Sequence, residues 1–403
     1  MPRLLLTVRG SDHPGVTASL FGHLQQHRAV LVDVEQVVVR GALLLGIRVD
    51  VPDEPAAGAE VPASLRDELL RAAADLGVDV EVELAPPDTD DADACAARQH
   101  VTLLAPSVDA GTFAAVAEAL ASCSTNIERI ERLASYPVTA YELTVSGASE
   151  GPLREKLAAV AADHHVDLAV QPAGLVRRGK RLVVFDVDST LVQGEVVDEL
   201  AAVAGVGEQV AQVTAAAMRG ELEFAASLRA RVELLAGLPA TALDEVRARM
   251  QLTPGAATLL RTLRRMGYSL GVVSGGFTQI VEPLAADLGL DFAAANVLEI
   301  VDGRLTGRLL GPVVDRAGKA EALRRFAAEA GVPLPQTIAV GDGANDLDMI
   351  ATAGLGVAFN AKPAVRAAAP ASVTVPFLDA LLFLLGVPRD EVEAAERADV
   401  RGR

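Results

Sequence analysis

The amino-acid sequence predicts an α/β protein in which two copies of a βαββαβ unit precede a doubly wound parallel sheet that carries a helical insertion. Three observations predict this fold class. The apolar pattern of the first 172 residues occurs twice, with an offset of about 96 residues from Gly15 to Gly111. From Arg181 onward, short continuous apolar runs alternate with helical patterns, as is typical of buried parallel strands. A length of 403 residues also corresponds to two or three domains.

The spacing of apolar residues in the first copy indicates the order strand, helix, strand, strand, helix, strand. A turn at 10–15 separates the first strand from the first helix. The predicted elements are strands 4–9, 30–39, 43–51 and 78–84 and helices 16–27 and 64–76. This is the order of a ferredoxin-like unit, which we assign to residues 1–85.

The second copy follows an acidic segment that contains prolines, 86–93. The same order of elements then returns. The predicted elements are strands 101–104, 126–133, 139–145 and 166–170 and helices 112–122 and 152–163. We assign this second ferredoxin-like unit to residues 98–172.

The third domain is predicted at 180–394. Its strands are expected at 182–185, 270–273, 337–340 and 355–359, with a weaker candidate at 373–375. Residues 195–250 have a helical pattern without a strand signal, and an insertion after the first strand is expected to cover the sheet as a cap. A small hairpin is predicted at 298–301 and 304–309.

The composition excludes several classes of function. The net charge of −18 would repel a nucleic-acid backbone, and the longest apolar stretches are too short for a membrane span or a signal segment. We therefore expect a cytoplasmic protein with no nucleic-acid or membrane partner. Cys95 and Cys123 are too few for a disulfide framework, and neither His nor Cys occurs after His165. Chemistry in the C-terminal part must therefore use other groups, and carboxylates with Mg²⁺ are the natural candidates.

Two aspartates, Asp186 and Asp188, follow the strand at 182–185. If the strand period of two continues, both side chains point the same way at the carboxyl edge of the sheet, where ligands bind in open α/β sheets. Two close carboxylates favour a divalent cation, and they also favour one of the two keeping its proton. Taken alone, such a pair is more often two solvated loop acids.

An anion site is predicted from two further motifs. Ser274, Gly275 and Gly276 follow the strand at 270–273, and their hydroxyl and N–H groups would bind an anion at a helix start. A tight turn is the alternative. Lys319 lies at a predicted helix start in a chain with only four lysines. Its compact ammonium suits one phosphoryl oxygen, and a solvated surface lysine is the alternative.

The last motif is a glycine-rich segment with Asp342 and Asp346 after the strand at 337–340. If a helix begins there, the two carboxylates share a face turned toward the strand ends. A plain strand-to-helix connection is the alternative. Together the four motifs supply a nucleophile, a proton donor, an anion cradle, a counter-charge and Mg²⁺ ligands, which are the requirements of phosphoryl transfer.

These motifs resemble those of the haloacid dehalogenase superfamily. They are Asp186-Val187-Asp188-Ser189-Thr190, Ser274-Gly275-Gly276, Lys319 and Gly341-Asp342-Gly343-Ala344-Asn345-Asp346. More narrowly, Gln193-Gly194-Glu195, with Met218, Phe224 and Arg231 in the insertion, resembles the phosphoserine phosphatases. The two N-terminal units, with Asp12-His13-Pro14-Gly15, resemble ACT domains. The whole chain is therefore similar to the long phosphoserine phosphatases with tandem ACT domains.

The resemblance implies Mg²⁺-dependent hydrolysis of O-phospho-L-serine, the last step of serine biosynthesis, through an aspartyl-phosphate. It implies that Asp186 attacks phosphorus and that Asp188 is the general acid and base. Lys319 is the third implied catalytic residue. The implied Mg²⁺ ligands are Asp186, Asp188 through its carbonyl oxygen, Asp342 and Asp346.

The resemblance also implies a set of substrate contacts. They are Glu195, Met218, Phe224, Arg231, Ser274, Gly275, Lys319 and Asn345. Among the cap residues, Arg231 is implied for the substrate carboxylate and Glu195 for its ammonium, with Met218 and Phe224 closing over the site. Without the resemblance, packing inside the cap and a surface position for Arg231 are the alternatives.

The ACT resemblance implies feedback by an amino acid, with L-serine as the expected effector. The candidate contacts are Asp12, Gly15, Asp109, Gly111 and Asn126. The second copy lacks the Asp-His-Pro-Gly turn, and the first has Leu31 near the position of Asn126, so binding by one copy and pairing by the other is an alternative. A homodimer through the ACT units is expected.

Two other functions stay open at this point. The four motifs fix the chemistry and only the cap fixes the substrate, so a phosphotransferase or a phosphatase for another small phosphomonoester is the nearest alternative. The other is a non-catalytic amino-acid sensor that acts through its ACT units.

Overall fold

The computed structural model describes residues 3–52, 63–85, 98–219 and 221–401, which form two compact units, Met1–Cys95 and Ala96–Arg403. The predicted fold class is confirmed, with two βαββαβ units and a parallel sheet that carries a helical cap. The division into domains at 1–85, 98–172 and 180–394 stays a prediction. The segment 86–93 and Cys95 lie outside the described residues. Among the described helices, none combines the length and the apolar character that a membrane crossing requires.

The first βαββαβ unit forms a four-stranded antiparallel sheet in the order β2-β3-β1-β4. Its elements are β1 (Arg3–Ser11), α1 (Val16–Gln26), β2 (Val30–Val39), β3 (Ala42–Asp50), α2 (Ala63–Leu76) and β4 (Val78–Leu84). Leu4, Leu6 and Val8 alternate along β1 and pack with both helices in a buried core. In contrast, every residue of the edge strand β2 is exposed.

The second βαββαβ unit repeats this topology in the order β6-β7-β5-β8. Its elements are β5 (Arg98–Ala105), α3 (Ala110–Ser122), β6 (Asn126–Ala134), β7 (Thr139–Ser146), α4 (Glu150–His164) and β8 (Asp167–Pro172). Val116, Leu120, Leu153 and Leu157 bring the two helices onto the sheet, and Cys123 is half-buried beside them. The predicted elements of both copies are therefore confirmed, with ends that differ by at most three residues.

The second βαββαβ unit is fixed to the C-terminal domain by polar contacts that are buried or partly buried. Asp167 Oδ2 accepts hydrogen bonds from the N–H of Thr374 at 2.6 Å and from its hydroxyl at 3.1 Å. Gln171 Nε2 donates to the carbonyl oxygen of Leu384 at 2.7 Å. Arg177, on α5 (Leu175–Arg178), pairs with Glu142 of β7. Because Asp167 and Gln171 are buried and partnered, and Arg177 and Glu142 are paired and partly buried, they hold this unit in one position.

The C-terminal domain has a seven-stranded sheet in the order β12-β11-β10-β9-β13-β14-β15. The strands are β9 (Leu182–Asp186), β10 (Ser269–Phe277), β11 (Phe292–Val301), β12 (Arg304–Leu310), β13 (Thr337–Gly341), β14 (Leu355–Phe359) and β15 (Ala371–Val373). The central strand β9 pairs in parallel with β10 and β13. Val183 and Phe185 face one apolar cluster and Leu182 and Val184 another, so both faces of the sheet are covered.

The helices of this domain pack on the two faces of the sheet, and the last two follow its final strand. They are α10 (Ala256–Arg265), α11 (Thr278–Leu288), α12 (Arg316–Glu329), α13 (Leu347–Thr352), α14 (Pro363–Ala368), α15 (Leu381–Leu384) and α16 (Arg389–Arg401). The clusters that contain α10 and α12 lie on opposite faces of β9. The sheet is therefore doubly wound, as predicted.

The predicted hairpin at 298–301 and 304–309 is confirmed, but its first strand is longer than predicted and another strand is shifted. β11 begins at Phe292 and pairs in parallel with β10 before it pairs antiparallel with β12. The apolar run at 292–298 was hidden by three successive alanines, which carry little strand signal. The edge strand occupies Ala371–Val373 rather than 373–375, since Asp167 accepts the N–H of Thr374 and ends it.

The insertion is helical, as predicted, and its described residues form four helices. They are α6 (Val196–Ala204), α7 (Gly207–Met218), α8 (Phe224–Glu233) and α9 (Thr241–Arg249). Leu200, Leu228 and Val246 pack with Phe277 and Ile280 in one buried cluster. A bridge between Val192 and Leu252 joins the two connections to the sheet. The cap therefore covers the carboxyl end of β10.

Candidate active site

Asp186 is the last residue of β9 and is 3% exposed. The chain then leaves strand geometry, with Ser189 at φ 57°, so the alternation assumed for Asp186 and Asp188 does not continue. Asp188 is nevertheless buried, at 9% exposure. Its Oδ1 accepts the N–H of Val196 at 2.7 Å, and its Oδ2 accepts the hydroxyl of Ser274 at 3.0 Å. The alternative of solvated loop acids is therefore excluded.

Lys319 lies in the first turn of α12, which Asp315 caps by accepting the N–H of Gly318 at 2.9 Å. The lysine side chain is completely buried. Its Nζ donates to Asp186 Oδ1 and to Asp346 Oδ1, both at 2.6 Å. A solvated surface lysine is thus ruled out, and the ammonium offsets two buried carboxylates.

Asp342 and Asp346 reach the same place as Asp186, although not by the predicted route. Asp342 lies in the turn after β13, and Asp346 ends a short 3₁₀ turn before α13, so the two do not share one helix face. The carboxylate oxygens of Asp186, Asp342 and Asp346 still lie within 4.8 Å of one another. Asp346 Oδ2 accepts the N–H of Gly343 at 2.9 Å, which orients its carboxylate.

Within this carboxylate cluster (Asp186, Asp342 and Asp346), the pKa values of Asp186 and Asp342 are raised, as expected for a site that binds a cation. Burial, followed by the charge of Asp346, raises the pKa of Asp186 well above its usual value. The same two causes raise the pKa of Asp342 to about 6. Crowded carboxylates of this kind are relieved by a divalent cation, and a set of hard oxygen ligands suits Mg²⁺. The residues present therefore fit the metal that the sequence predicts.

Ser274, Gly275 and Gly276 belong to the end of β10, and α11 begins only at Thr278. The predicted position at a helix start is therefore displaced by a few residues. Ser274 is fully buried, and its Oγ accepts the N–H of Gly276 at 2.7 Å while donating to Asp188. The hydroxyl group of this segment is thus directly connected to the second aspartate.

Glu195 and Arg231 bring charge to the site from the cap side. Glu195 Oε1 accepts the hydroxyl of Ser189 at 3.2 Å. Desolvation by the surrounding cleft, followed by the charges of Asp188 and Asp342, raises the pKa of Glu195 to about 7, although its side chain keeps contact with solvent. Arg231 is half-buried on α8, and its Nε has no hydrogen-bond partner among the described residues.

The guanidinium of Arg231 faces acidic groups, and among the described residues no hydrogen bond or ion pair joins it to them. Burial lowers its pKa, and the charges of Asp198, Glu195 and Asp188 act in the opposite direction. A buried donor without a partner is costly, so this geometry favours an anionic ligand. The alternative of an ordinary surface arginine is not supported.

Phe224 begins α8 and packs on Gly275, where a β-carbon would lie 3.2 Å from the phenyl Cζ. It therefore lies over the serine and glycine segment, in addition to packing in the cap cluster. Met218 ends α7, and its side chain lies outside the described residues. Asn345 is half-buried in the turn before α13. A cavity of about 200 Å³ opens beside Glu195, between residues 192–196 and 249–251.

The predicted effector residues occupy turns and strand ends of the βαββαβ units. Asp12 is exposed, and Gly15 precedes α1 with φ 104°, a conformation that favours glycine. Asp109 caps α3 by accepting the N–H of Thr112 at 2.7 Å. Gly111 lies in the first turn of the same helix, and Asn126 is exposed at the start of β6. The carboxylate of Asp109 thus has a structural partner already.

Sequence reasoning named Gly341 only as part of a motif and missed Asn296. Gly341 is required because a β-carbon there would overlap the carboxylate of Asp346. Asn296, on β11, is 2% exposed and donates from Nδ2 to the carbonyl oxygen of Gly275 at 2.9 Å. The available signal for Asn296 was an amide inside an otherwise apolar strand.

Comparison with known proteins identifies the family to which the chain is similar. Family models match a haloacid dehalogenase-like hydrolase at residues 183–351 and ACT domains at residues 2–83 and 98–171. The chain is 54% identical to phosphoserine phosphatase SerB2 of Mycobacterium tuberculosis, over 98% of this chain and 96% of that protein. It is 56% identical to a phosphoserine phosphatase of Streptomyces coelicolor, over 98% and 95% of the two chains.

Solved structures show the same resemblance. A probable phosphoserine phosphatase from Vibrio cholerae superposes with a TM-score of 0.56 at 35% identity, covering 72% of this chain and 86% of that one. A hydrolase of the haloacid dehalogenase family from Salmonella enterica superposes with a TM-score of 0.63 at 30% identity, covering 71% and 98%.

Proposed function

Since this chain belongs to the phosphoserine phosphatases of the haloacid dehalogenase-like hydrolases, we propose that it hydrolyses O-phospho-L-serine through an aspartyl-phosphate formed on Asp186. The observation that carries the proposal is the buried ion-pair cluster in which Lys319 contacts both Asp186 and Asp346 at 2.6 Å. It holds a nucleophilic carboxylate next to a fixed positive charge in a site from which water is largely excluded.

In the first step, a carboxylate oxygen of Asp186 forms a bond to phosphorus and the bond from phosphorus to the serine oxygen breaks. Asp188 gives its proton to the departing oxygen. Burial raises the pKa of Asp188, which supports its carrying that proton at the start. In the second step, water attacks phosphorus, Asp188 takes a proton from it, and Asp186 is released as a carboxylate with inorganic phosphate as product.

We assign the Mg²⁺ ligands to Asp186, Asp342, Asp346 and the carbonyl oxygen of Asp188. The proximity of the three carboxylates and their raised pKa values support this assignment. When bound, Mg²⁺ polarises the phosphoryl group and neutralises charge that develops on its oxygens. The phosphoryl oxygens are held by the Gly275 N–H, by Lys319, whose ammonium exchanges part of its carboxylate contacts for them, and by the Ser274 hydroxyl, which turns its single hydrogen from Asp188 to the phosphoryl group.

The cap supplies recognition of the serine part of the substrate. The unpartnered Nε of Arg231 supports binding of the substrate carboxylate, and Glu195 offers an anion for the ammonium. Phe224 covers the bound substrate, Asn345 is a further contact, and Met218 keeps the covering role that the family resemblance implies. Because the ester carries both charges, the pair discriminates phosphoserine from esters that lack either group.

The ACT units are proposed to bind L-serine and to join two chains in a homodimer. The candidate effector contacts are Asp12, Gly15, Asp109, Gly111 and Asn126. The support for pairing is the edge strand β2, whose apolar residues, such as Val37 at 54% and Val39 at 63%, are exposed. Sedimentation should give twice the chain mass, and a monomer would reject the homodimer. L-serine added to the assay should change the rate of phosphate release, and an unaffected rate would reject L-serine as the effector.

The primary test is phosphate release by the purified chain from O-phospho-L-serine, phosphothreonine and a sugar phosphate, with Mg²⁺ and then with excess EDTA. We expect fast release from phosphoserine that EDTA abolishes and Mg²⁺ restores. Equal rates on all esters would replace the proposed substrate with a broader class. Transfer of the phosphoryl group to an added alcohol in place of water would identify a phosphotransferase, and no release from any ester would favour a sensor.

A further inference from the structure

Asn296 lies on β11, next to β10 in the sheet, and its side chain is buried at 2% exposure. Both ends of its amide are bonded to backbone. Nδ2 donates to the carbonyl oxygen of Gly275 at 2.9 Å, and Oδ1 accepts the N–H of Val314 at 2.8 Å. Val314 directly precedes Asp315, the residue that caps α12 and so begins the helix that carries Lys319.

The Gly275–Gly276 peptide group is held at both of its polar atoms. Asn296 binds its carbonyl oxygen, and the Oγ of Ser274 accepts its N–H at 2.7 Å. The same hydroxyl donates to Asp188 Oδ2 at 3.0 Å. One hydrogen-bonded chain thus runs from the segment before α12, through Asn296 and the glycines, to the proposed general acid.

Both glycines lie in tight contacts, and the space at Gly276 is too small for a β-carbon. A β-carbon on Gly275 would lie 3.2 Å from Phe224, and one on Gly276 would lie 2.9 Å from Ser274 Oγ and 3.3 Å from Asp188 Oδ2. Two successive glycines are also the most freely rotating backbone that a protein can use. A donor site built from them therefore needs an external contact to hold the peptide planes in one orientation.

We propose that Asn296 is a positioning residue for the reaction, which holds the Ser274–Gly276 segment in the geometry that receives the phosphoryl group and keeps it in register with Lys319. The inference rests on the proposed function. Asn296 touches no reacting atom; it acts through the peptide group of Gly275 and, beyond it, through the Ser274 hydroxyl. Misplacing such donors by about 1 Å costs up to roughly 100-fold in rate.

The chain contains a matched control for the purely structural part of this role. Gln279, on α11, also uses its amide to bridge to backbone, since Nε2 donates to the Leu298 carbonyl oxygen at 2.8 Å and Oε1 accepts the Leu298 N–H at 3.3 Å. It thus makes two hydrogen bonds to β11, as Asn296 makes two to its own neighbours. Among the described residues, its amide has no hydrogen bond to the Ser274–Gly276 segment.

The experiment compares Asn296→Ala, Asn296→Asp and Gln279→Ala in the full chain. Thermal unfolding fixes a common assay temperature below all transitions. We expect Asn296→Ala to lose at least as much thermal stability as Gln279→Ala, because Asn296 is buried and Gln279 is half-buried. We expect kcat/KM for phosphoserine to fall about 10- to 100-fold in both Asn296 variants and to stay within twofold of wild type in Gln279→Ala. Asn296→Asp keeps an acceptor for the N–H of Val314 but loses the donor to the carbonyl oxygen of Gly275. The fall in kcat/KM of this variant therefore tests the contact with Gly275 specifically.

A second readout separates positioning from loss of folded protein. Orthovanadate is a probe of the phosphoryl-transfer transition state, and its inhibition constant should rise in parallel with the fall in kcat/KM, because both depend on the same donors. KM should change less than kcat. An active Asn296→Asp variant, or losses in Asn296→Ala no larger than in Gln279→Ala, would overturn the inference. If wild type prefers another phosphomonoester, the proposed substrate fails, and the comparison of variants is made on that ester.

Discussion

The core half of the site (Asp186, Lys319 and Asp346) and its cap half (Glu195, Phe224 and Arg231) differ in how their polar groups are satisfied. In the core half, the lysine is completely buried and bonded to both carboxylates at 2.6 Å. In the cap half, Glu195 keeps contact with solvent, and the Nε of Arg231 is buried without a hydrogen-bond partner among the described residues.

This difference separates chemistry from recognition. The core half is organised before any substrate arrives, and such preorganised charges account for much of the rate in enzymes of this type. The cap half holds charges that are incomplete until a zwitterionic ligand supplies the opposite ones. Substitutions in the core half should therefore reduce the turnover of every ester, whereas substitutions in the cap half should reduce only that of phosphoserine.

The largest effect is expected from Asp186→Asn. The amide cannot form the aspartyl-phosphate, so kcat should fall at least about 10⁴-fold for phosphoserine and for an aryl phosphate alike, the order seen when a nucleophile is removed. Phosphate release under saturating Mg²⁺ measures it. Asp348→Asn, a partly exposed acid paired with Arg316, is the control and should keep wild-type activity. Retention of even a few per cent of activity in Asp186→Asn would reject the covalent route.

The next largest effect is expected from Lys319→Met. Removing one charged donor from an oxyanion-type site costs about 10²–10³ in kcat, and here both esters should again be affected equally. The variant also leaves two buried carboxylates without their counter-charge, which typically costs about 3–5 kcal/mol of folding stability. Stopped assays and thermal unfolding measure the two consequences.

The matched control for that variant is Lys362→Met, which removes an exposed lysine elsewhere in the same domain. It should leave both kcat and the melting temperature unchanged. A Lys319→Met protein with wild-type kcat would mean that the ammonium contributes to folding alone. The assignment of the chemistry to Lys319 in the core half would then be wrong.

Arg231→Met should separate the two halves. We expect kcat/KM for phosphoserine to fall roughly 30- to 1,000-fold, because the substrate carboxylate loses its partner. This factor corresponds to a loss of about 2–4 kcal/mol of transition-state stabilisation. An aryl phosphate has no such group, so its turnover should stay within about threefold of wild type. Arg229→Met, on the exposed side of the same helix, is the control. Equal losses on both esters would assign Arg231 to the chemistry or the fold of the cap instead.

The residues of the core half could be predicted from the sequence because the order of the strands determines where they lie. Parallel strands end at one edge of the sheet, so the polar residues after β9, β10 and β13 had to meet there, whatever the local conformation. Asp342 illustrates this point: its predicted helix face does not exist, yet its carboxylate lies within 4.8 Å of the others. The position was fixed by the strand and not by the helix.

The contacts that were missed depend on side-chain geometry across long separations. Asn296 binds Gly275, 21 residues away in the sequence, and no periodicity or turn signal marks such a pair. The orientation of Arg231 was likewise unpredictable, because a helical pattern gives its face but not which charges of the neighbouring domain it meets. Resemblance to a family supplied that role, and the unpartnered Nε supplies the physical reason for it.

The smallest predicted effect is the pH dependence that Glu195 gives to substrate preference. Its pKa of about 7 is raised above the usual range, so the carboxylate that binds the ammonium is ionised above pH 7 and becomes protonated as the pH falls below it. From pH 8 to pH 6 the ionised fraction decreases roughly tenfold for such a group. The ratio of kcat/KM for phosphoserine to that for an aryl phosphate should decrease by the same factor, since kcat/KM reports the free enzyme.

Taking the ratio matters because both esters share the phosphate ionisation near pH 6 and the same catalytic carboxylates. Glu195→Gln should lower the ratio at pH 8 and make it independent of pH, while Glu199→Gln, an exposed acid that lines the same cavity, should leave the wild-type profile intact. A ratio that is flat in wild type would remove Glu195 from ammonium binding. It would then belong with the core half, acting on both esters through its contact with Ser189, and the boundary between chemistry and recognition would pass between Glu195 and Arg231.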